Sequence, residues 1–207
     1  MINKDVNNNY CELSGIVFGE IRLSHEVYGE KFNTFILEVE RLSGIKDYIN
    51  IIFSENCPGG SVNPGDMIFV KGQFRSYNNY SGTGSRLLLN VFAKELMLCE
   101  NDERENINYI MLNGYLCKPP VYRITPFGRE ITDILLAVNR IHNKSDYIPC
   151  IIWGKNASSA SELKVGDNIT LHGRIQSREY KKRLENDEVI SKIAYEVSVN
   201  KFEHNIQ

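Results

Sequence analysis

No apolar run in the 207 residues approaches the roughly 20 that a membrane-spanning helix needs. The opening stretch, Met1 to Tyr10, is polar and Asn-rich and lacks the apolar segment of a secretory signal, so a cytoplasmic chain with no membrane partner is expected. Five cysteines (Cys11, Cys57, Cys99, Cys117, Cys150) form no CxxC pair, and four scattered histidines (His25, His142, His172, His204) stand at no metal-ligand spacing to them. That pattern excludes a zinc site and points to reduced thiols, mostly buried in strands. Also missing are paired carboxylates, a nucleophile beside a base, and a phosphate loop. Gly82-Thr-Gly84 is a hairpin tip, since no helix follows it. Neither an enzyme nor a cofactor is expected. Tryptophan occurs once, against 11 Tyr and 9 Phe, and a net charge of −2 does not announce a nucleic-acid partner.

What is present is a repeat. Gly15 and Gly114 each open a strand-like run, and Gly29 and Gly128 follow at the same offset. Phe35–Arg41 then matches Ile134–Arg140, Asp47-Tyr48-Ile49 matches Asp146-Tyr147-Ile148, and Ile51-Ile52-Phe53 matches Ile151-Ile152-Trp153. Gly65-Asp66 and Gly166-Asp167, with Gly72 and Gly173, complete the series. The slight drift in offset implies small loop insertions in a duplicated unit.

In the second copy Ile134, Leu136 and Val138 alternate along one strand, Ile169 and Leu171 along another, and Ile193, Tyr195, Val197 and Val199 along the last. A period of two argues for half-buried antiparallel strands. Pro126-Phe127-Gly128 and the charged stretch 181–188 are turns, and Asn156–Leu163 is the one helix candidate, lying before strand four. Five strands with a helix there fit an OB-fold, a five-stranded Greek-key barrel. The expected fold is therefore all-β, with two tandem OB-fold barrels. Residues 1–100 form a degenerate first copy, 101–108 a polar linker, and 109–207 the second copy.

The second copy resembles the bacterial single-stranded DNA-binding protein family through Arg123–Gly128, Leu136–Arg140, Asp146–Cys150, Ile152–Lys155, Gly166-Asp167 and Gly173–Tyr180. The resemblance covers nearly all of residues 110–203 and implies a non-enzymatic barrel that coats single strands without strict sequence preference. By that correspondence Tyr147, Trp153 and Tyr180 stack on bases, while His142 puts a smaller ring at a fourth such position.

The residues themselves agree. Any single strand presents π-faces and phosphates, so a binder needs rings and cations together. The second copy interleaves Tyr147, Trp153 and Tyr180 with Arg123, Arg129, Arg140, Lys155, Arg174, Arg178, Lys181, Lys182 and Arg183. Three stacks at roughly 1–3 kcal/mol each support micromolar binding at modest salt. Packing in the barrel core would also account for Tyr147 and Trp153, and a solvated hairpin tip accounts equally for Lys181–Arg183.

The first copy keeps rings, with Tyr48, Phe53, Tyr77, Tyr80 and Arg75 as weaker candidates, but thins its cations. Residues 1–100 hold nine Lys/Arg against twelve Asp/Glu, and residues 101–207 fifteen against fourteen. Glu38 and Glu40 alternate with Phe35, Leu37 and Val39 and so face outward, where carboxylates repel phosphates. Either this barrel is a weakened binder or its acidic face meets a partner or the second barrel.

The resemblance implies four barrels as a working unit, hence a homodimer, and a nucleoid-associated role in DNA replication, repair or recombination. The chain ends at Lys201–Gln207 without the acidic, hydrophobic tip by which family members recruit other enzymes, which leaves a likeness to the tail-less primosomal replication protein branch open. An accessory protein acting through replication or recombination partners, and a binder of single-stranded RNA, are the alternatives.

Overall fold

The computed structural model describes residues 8–79, 87–99, 106–183, 187 and 189–205. Its strands are β1 (Asn9–Val27), β2 (Glu30–Glu40), β3 (Lys46–Ser54), β4 (Met67–Asn78) and β5 (Leu87–Leu98), then β6 (Asn108–Leu116), β7 (Val121–Ile124), β8 (Glu130–Asn139), β9 (Ser145–Trp153), β10 (Asn168–Arg183) and β11 (Val189–His204). A short 3-10 turn, Ile141–Asn143, links β8 to β9, and the single α-helix among the described residues, α1 (Lys155–Ser161), follows β9.

Barrel one closes because β1 pairs with both β2 and β4, β2 with β3, β3 in parallel with β5, and β5 with β4. Barrel two repeats the pattern with β6, β8, β9, β11 and β10. Its first strand is interrupted at Pro119-Pro120, which cannot donate to a ladder, and resumes as β7 against β8. The tandem OB-fold expectation holds.

Inward positions alternate along each strand and are mostly apolar, with buried Thr132, Asp47 and Asp146 as polar exceptions. Leu37 lies opposite Ile49 and Phe35 opposite Ile51, as Leu136 lies opposite Ile148 and Ile134 opposite Cys150. Gly15 and Gly114 sit where two strands cross so closely that a Cβ would lie 2.3 Å and 2.5 Å from the carbonyl oxygens of Glu38 and Ala137. This crowding explains the first glycine pair of the repeat. α1 closes the bottom of barrel two with buried Ala157 and Ala160, and Thr132 Oγ1 donates to the Ala157 carbonyl at 2.7 Å. Barrel one has a turn there instead, where Gly59 takes a positive φ of 73° against Leu96.

The β2–β3 register corrects one expectation. Phe53 lies opposite Asn33 and Ser54 opposite Phe32, whereas Ile152 lies opposite Thr132 and Trp153 opposite Ile131. Phe53 is therefore the counterpart of Ile152, and Ser54 that of Trp153. Because side chains alternate between faces, a slip of one residue reverses the direction of the ring. Phe53 is 3% exposed and packs edge-on against Phe35 with centroids 5.6 Å apart, so it is a core residue and not a ligand contact.

The barrels join through β1 and β6, whose segments Asn9–Leu13 and Asn108–Leu112 run antiparallel and merge all strands into one sheet. Asn9 brackets the joint by bonding the backbone of Phe74 with both its amide groups (2.7 and 2.9 Å), and Asn108 does the same to Ile175 (2.8 and 2.9 Å). Two reciprocal clasps complete it. Asp47 of barrel one accepts from Arg41 and from the backbone and hydroxyl of Ser177 in barrel two. Asp146 of barrel two accepts from Arg140 and from the Ser76 backbone in barrel one.

Candidate functional site

On the outer face of barrel two, β8 and β9 set Ile131 opposite Trp153, Asp133 opposite Ile151, and Ala137 opposite Tyr147. β7 adds Arg123 beside Ile131. On the other flank Ser198 of β11 lies beside Ile151, and Arg174 of β10 lies beside Ser198. The indole Nε1–H of Trp153 donates to Ser198 Oγ at 3.1 Å, which fixes the ring on this face.

Two grooves meet at that ring. One, of about 490 Å³, is lined by Trp153, Arg123, Arg129, Arg174 and Arg178, with Arg41 reaching in from barrel one. The other, of about 440 Å³, runs from Trp153 and Arg174 to Tyr109 and Asn200. Trp153, Arg174 and Ser198 belong to both, so the two form one track with the indole at its waist.

Carboxylates temper the guanidiniums unequally. Arg123 pairs with Asp133 at 2.6 Å, Arg178 with buried Glu196 at 3.0 Å, and Arg41 with Asp47 at 2.6 Å. Glu196 also accepts from Gln176 Nε2 at 2.9 Å. Among the described residues Arg129 and Arg174 have no carboxylate partner. The track thus carries a net positive charge around one half-buried indole, a surface suited to a flexible polyanion with flat groups.

The remaining expected residues lie outside these linings. Tyr147 is 46% exposed farther along β9, its backbone N–H held by Ser76 Oγ of barrel one at 2.8 Å. Tyr180 is half-buried on β10, with the Arg178 guanidinium 5.8 Å from its ring centroid. Lys155 is exposed at the start of α1, and Lys181 is exposed on β10. The side chains of Lys182, Arg183 and His142, and all of Tyr80, lie outside the described residues.

Arg140 has a different use from the expected one. Its Nη2 donates to Asp146 at 2.7 Å and to the Ser76 carbonyl at 3.0 Å, and it sits 5.5 Å from the Tyr77 ring. A guanidinium committed to a carboxylate and a carbonyl at the barrel joint is structural, and Tyr77 lies beneath it. Arg75 lies over the Phe92 ring at 4.0 Å, and Tyr48 meets Phe18 edge-on at 5.1 Å while its carbonyl accepts from Tyr195 of barrel two. Glu38 is also neutralised. Lys46 pairs with it at 2.7 Å and, aided by Tyr48, holds its carboxyl below the usual value, so Glu38 presents no free negative charge to a phosphate.

Sequence reasoning missed Arg41, Gln176, Glu196 and Ser198 in this track. Arg41 was visible only as the repeat partner of Arg140, and no local signal shows that a loop of one barrel reaches the face of the other.

Residues 107–204 match the Single-strand binding protein family. The chain is 40% identical over 81 residues to a single-stranded DNA-binding protein of Clostridium tetani, covering 36% of this chain and 56% of that protein. It is 35% identical over 97 residues to single-stranded DNA-binding protein B of Bacillus subtilis, covering 44% of this chain and 82% of that protein. For the first several relatives the chain spans about half their length. The fold is that of the single-stranded DNA binding protein from Thermus aquaticus, with a TM-score of 0.76 and 21% identity over 96% of this chain and 93% of that one.

Proposed function

The chain belongs to the single-strand binding protein family, and from that premise we propose that it binds single-stranded DNA with little sequence preference, chiefly on barrel two. The observation that carries the reading is the sole tryptophan, placed at the waist of a track whose walls are arginines. A base stacks on Trp153 while Arg129 and Arg174, the two guanidiniums without a carboxylate partner, take adjacent phosphates. Arg123 and Arg178 contribute by exchanging Asp133 and Glu196 for the incoming phosphate. Tyr147 and Tyr180 extend the path along β9 and β10. Stacking and phosphate contacts read no base edge, which is why the binding is tolerant of sequence.

The same reading divides the chain into a first barrel at residues 1–100, a linker at 101–108 and a second barrel at 109–207. It makes the protein non-enzymatic and nucleoid-associated, serving DNA replication, repair or recombination, and it pairs two chains to reach four barrels. Among the described residues no helix is long and apolar enough to cross a membrane, and no cluster of ligands stands ready for a metal ion.

Titration with oligo-dT at low salt, followed by Trp153 emission, tests the proposal. Quenching with a saturable endpoint that weakens as salt rises is expected. Unchanged emission at low salt would sink it, and equal competition by matched RNA would widen the ligand class.

A further inference from the structure

We propose that Phe127, at the tip of the β7–β8 hairpin, is an additional base-stacking ring at the mouth of the barrel-two track; this rests on the single-strand reading above. Phe127 is 92% exposed, an unusual position for a phenyl ring, and makes no ring contact among the described residues. Its place is not that of a loose loop end. Pro126 fixes its own φ, the Gly128 N–H donates to the Thr125 carbonyl at 2.9 Å, and the Thr125 N–H donates to the Arg129 carbonyl at 2.8 Å. The Arg129 N–H donates to Thr125 Oγ1 at 3.0 Å, and Gly128 supplies the positive φ of 75° that lets the chain turn back. The ring is thus held on a closed turn whose two ends, Thr125 and Arg129, both line the groove that contains Trp153.

Continuity and charge select the occupant. A strand leaving Trp153 along Arg123 and Arg129 passes the tip with its next bases unstacked, and an exposed phenyl face there offers them a platform. An apolar protein segment would gain the phenyl face but would have to displace the guanidiniums from solvent without supplying anions. Barrel one provides the contrast. Its hairpin tip also carries a fully exposed ring, Tyr28, but on a two-residue turn between Val27 and Glu30, with Glu26 paired across to Lys31. At that tip Glu30 stands where the other has Arg129, and His25, opposite Phe32, stands where it has Arg123, so neither arginine is present and no base is expected on Tyr28.

Oligo-dT affinity of Phe127→Ala, read by Trp153 quenching, should fall roughly tenfold, within the range of one lost stack. Phe127→Tyr should restore it, and Tyr28→Ala should leave it unchanged. A protein with Phe127→Trp in a Trp153→Phe background should itself be quenched on binding. Wild-type affinity in Phe127→Ala, or silent emission from the relocated tryptophan, overturns the inference while normal Trp153 quenching leaves the function standing. An equal loss from Tyr28→Ala overturns it too, because any exposed tip ring would then serve. If wild-type Trp153 fails to quench, the function falls first, and the relocated tryptophan decides the tip separately.

Discussion

Position for position, the outer faces of the two barrels use the same scaffold in opposite ways. The register puts Ser54 in barrel one where barrel two has Trp153, Phe92 where it has Ser198, Gln73 where it has Arg174, and Phe32 where it has Ile131. Barrel one has not lost its rings. His25 stacks on Phe32 with centroids 4.9 Å apart and planes 8° apart, Phe32 lies 5.9 Å from Phe92, and Arg75 covers Phe92. Those faces are occupied by one another, whereas the Trp153 ring stands alone between guanidiniums. A ring binds a base only if its face is free, so aromatic content alone does not distinguish a binding barrel from a supporting one. Under the proposed function barrel one's contribution is indirect. It braces barrel two through the β1–β6 joint and sends Arg41 into its groove.

The largest effects should come from exchanging the two rings that sequence alignment equates. Phe53→Ala removes a buried ring and should lower unfolding free energy by about 3–5 kcal/mol in urea titrations. Its folded fraction should bind oligo-dT as tightly as the wild type. Trp153→Ala should change stability far less and cost affinity by roughly 1–3 kcal/mol. A stable Phe53→Ala variant with lost binding would reverse the register argument and restore Phe53 as a contact.

The clasps separate the barrels next. Asp47 and Asp146 occupy corresponding places but are not equally satisfied. Burial pushes the Asp47 carboxyl up, yet bonds from Arg41 and Ser177 outweigh it and hold the group below the ordinary value of 3.8. At Asp146 burial wins over the Ser76 N–H and the arginines, and the carboxyl is raised. Its Oδ2 and the Nε of Arg140 are buried without a partner. Asp47→Asn, which leaves Arg41 uncompensated, should cost about 3 kcal/mol, and Asp146→Asn about 1 kcal/mol or less. The pH dependences have opposite signs. A depressed native value stabilises above the ordinary one and is lost on acidification, so the Asp47→Asn deficit shrinks as pH falls. A raised native value favours the protonated fold, so the Asp146→Asn deficit grows. Parallel trends in urea titrations would mean that the clasps are equivalent.

Much of this was legible beforehand. The glycine repeat and the strand order follow from period-two alternation and spacing, and Arg123, Arg129, Arg174 and Arg178 stood among the expected contacts, although nothing marked their meeting at Trp153. Three things were not. The true partner of Phe53 was hidden because a one-residue offset looks as good as the real one in an Ile-Ile-aromatic run, although it reverses the face. The ring series of His25, Phe32 and Phe92 draws on three strands, and nothing local ties them together. The Asp-Tyr pairs drew attention to Tyr48 and Tyr147, yet Asp47 is held by Ser177, 130 residues away, a contact set by how the barrels dock.

The smallest and most discriminating change is a reciprocal exchange at one register position. Arg174→Gln removes a cation beside Trp153, and Gln73→Arg installs one at the matching place in barrel one. Each phosphate contact on a single strand contributes about 0.7 to the slope of log affinity against log salt. Arg174→Gln should therefore flatten the slope by about 0.7. Gln73→Arg should leave it unchanged if the strand passes only over barrel two, since a cation off the path releases no counterion. Gln73 now accepts from Arg75 Nη2 at 2.8 Å, so a companion variant, Gln73→Ala, accounts for any release of Arg75. A steeper slope in Gln73→Arg but not in Gln73→Ala would put the strand across both barrels, and the division between a binding and a bracing barrel would give way to one continuous wrap.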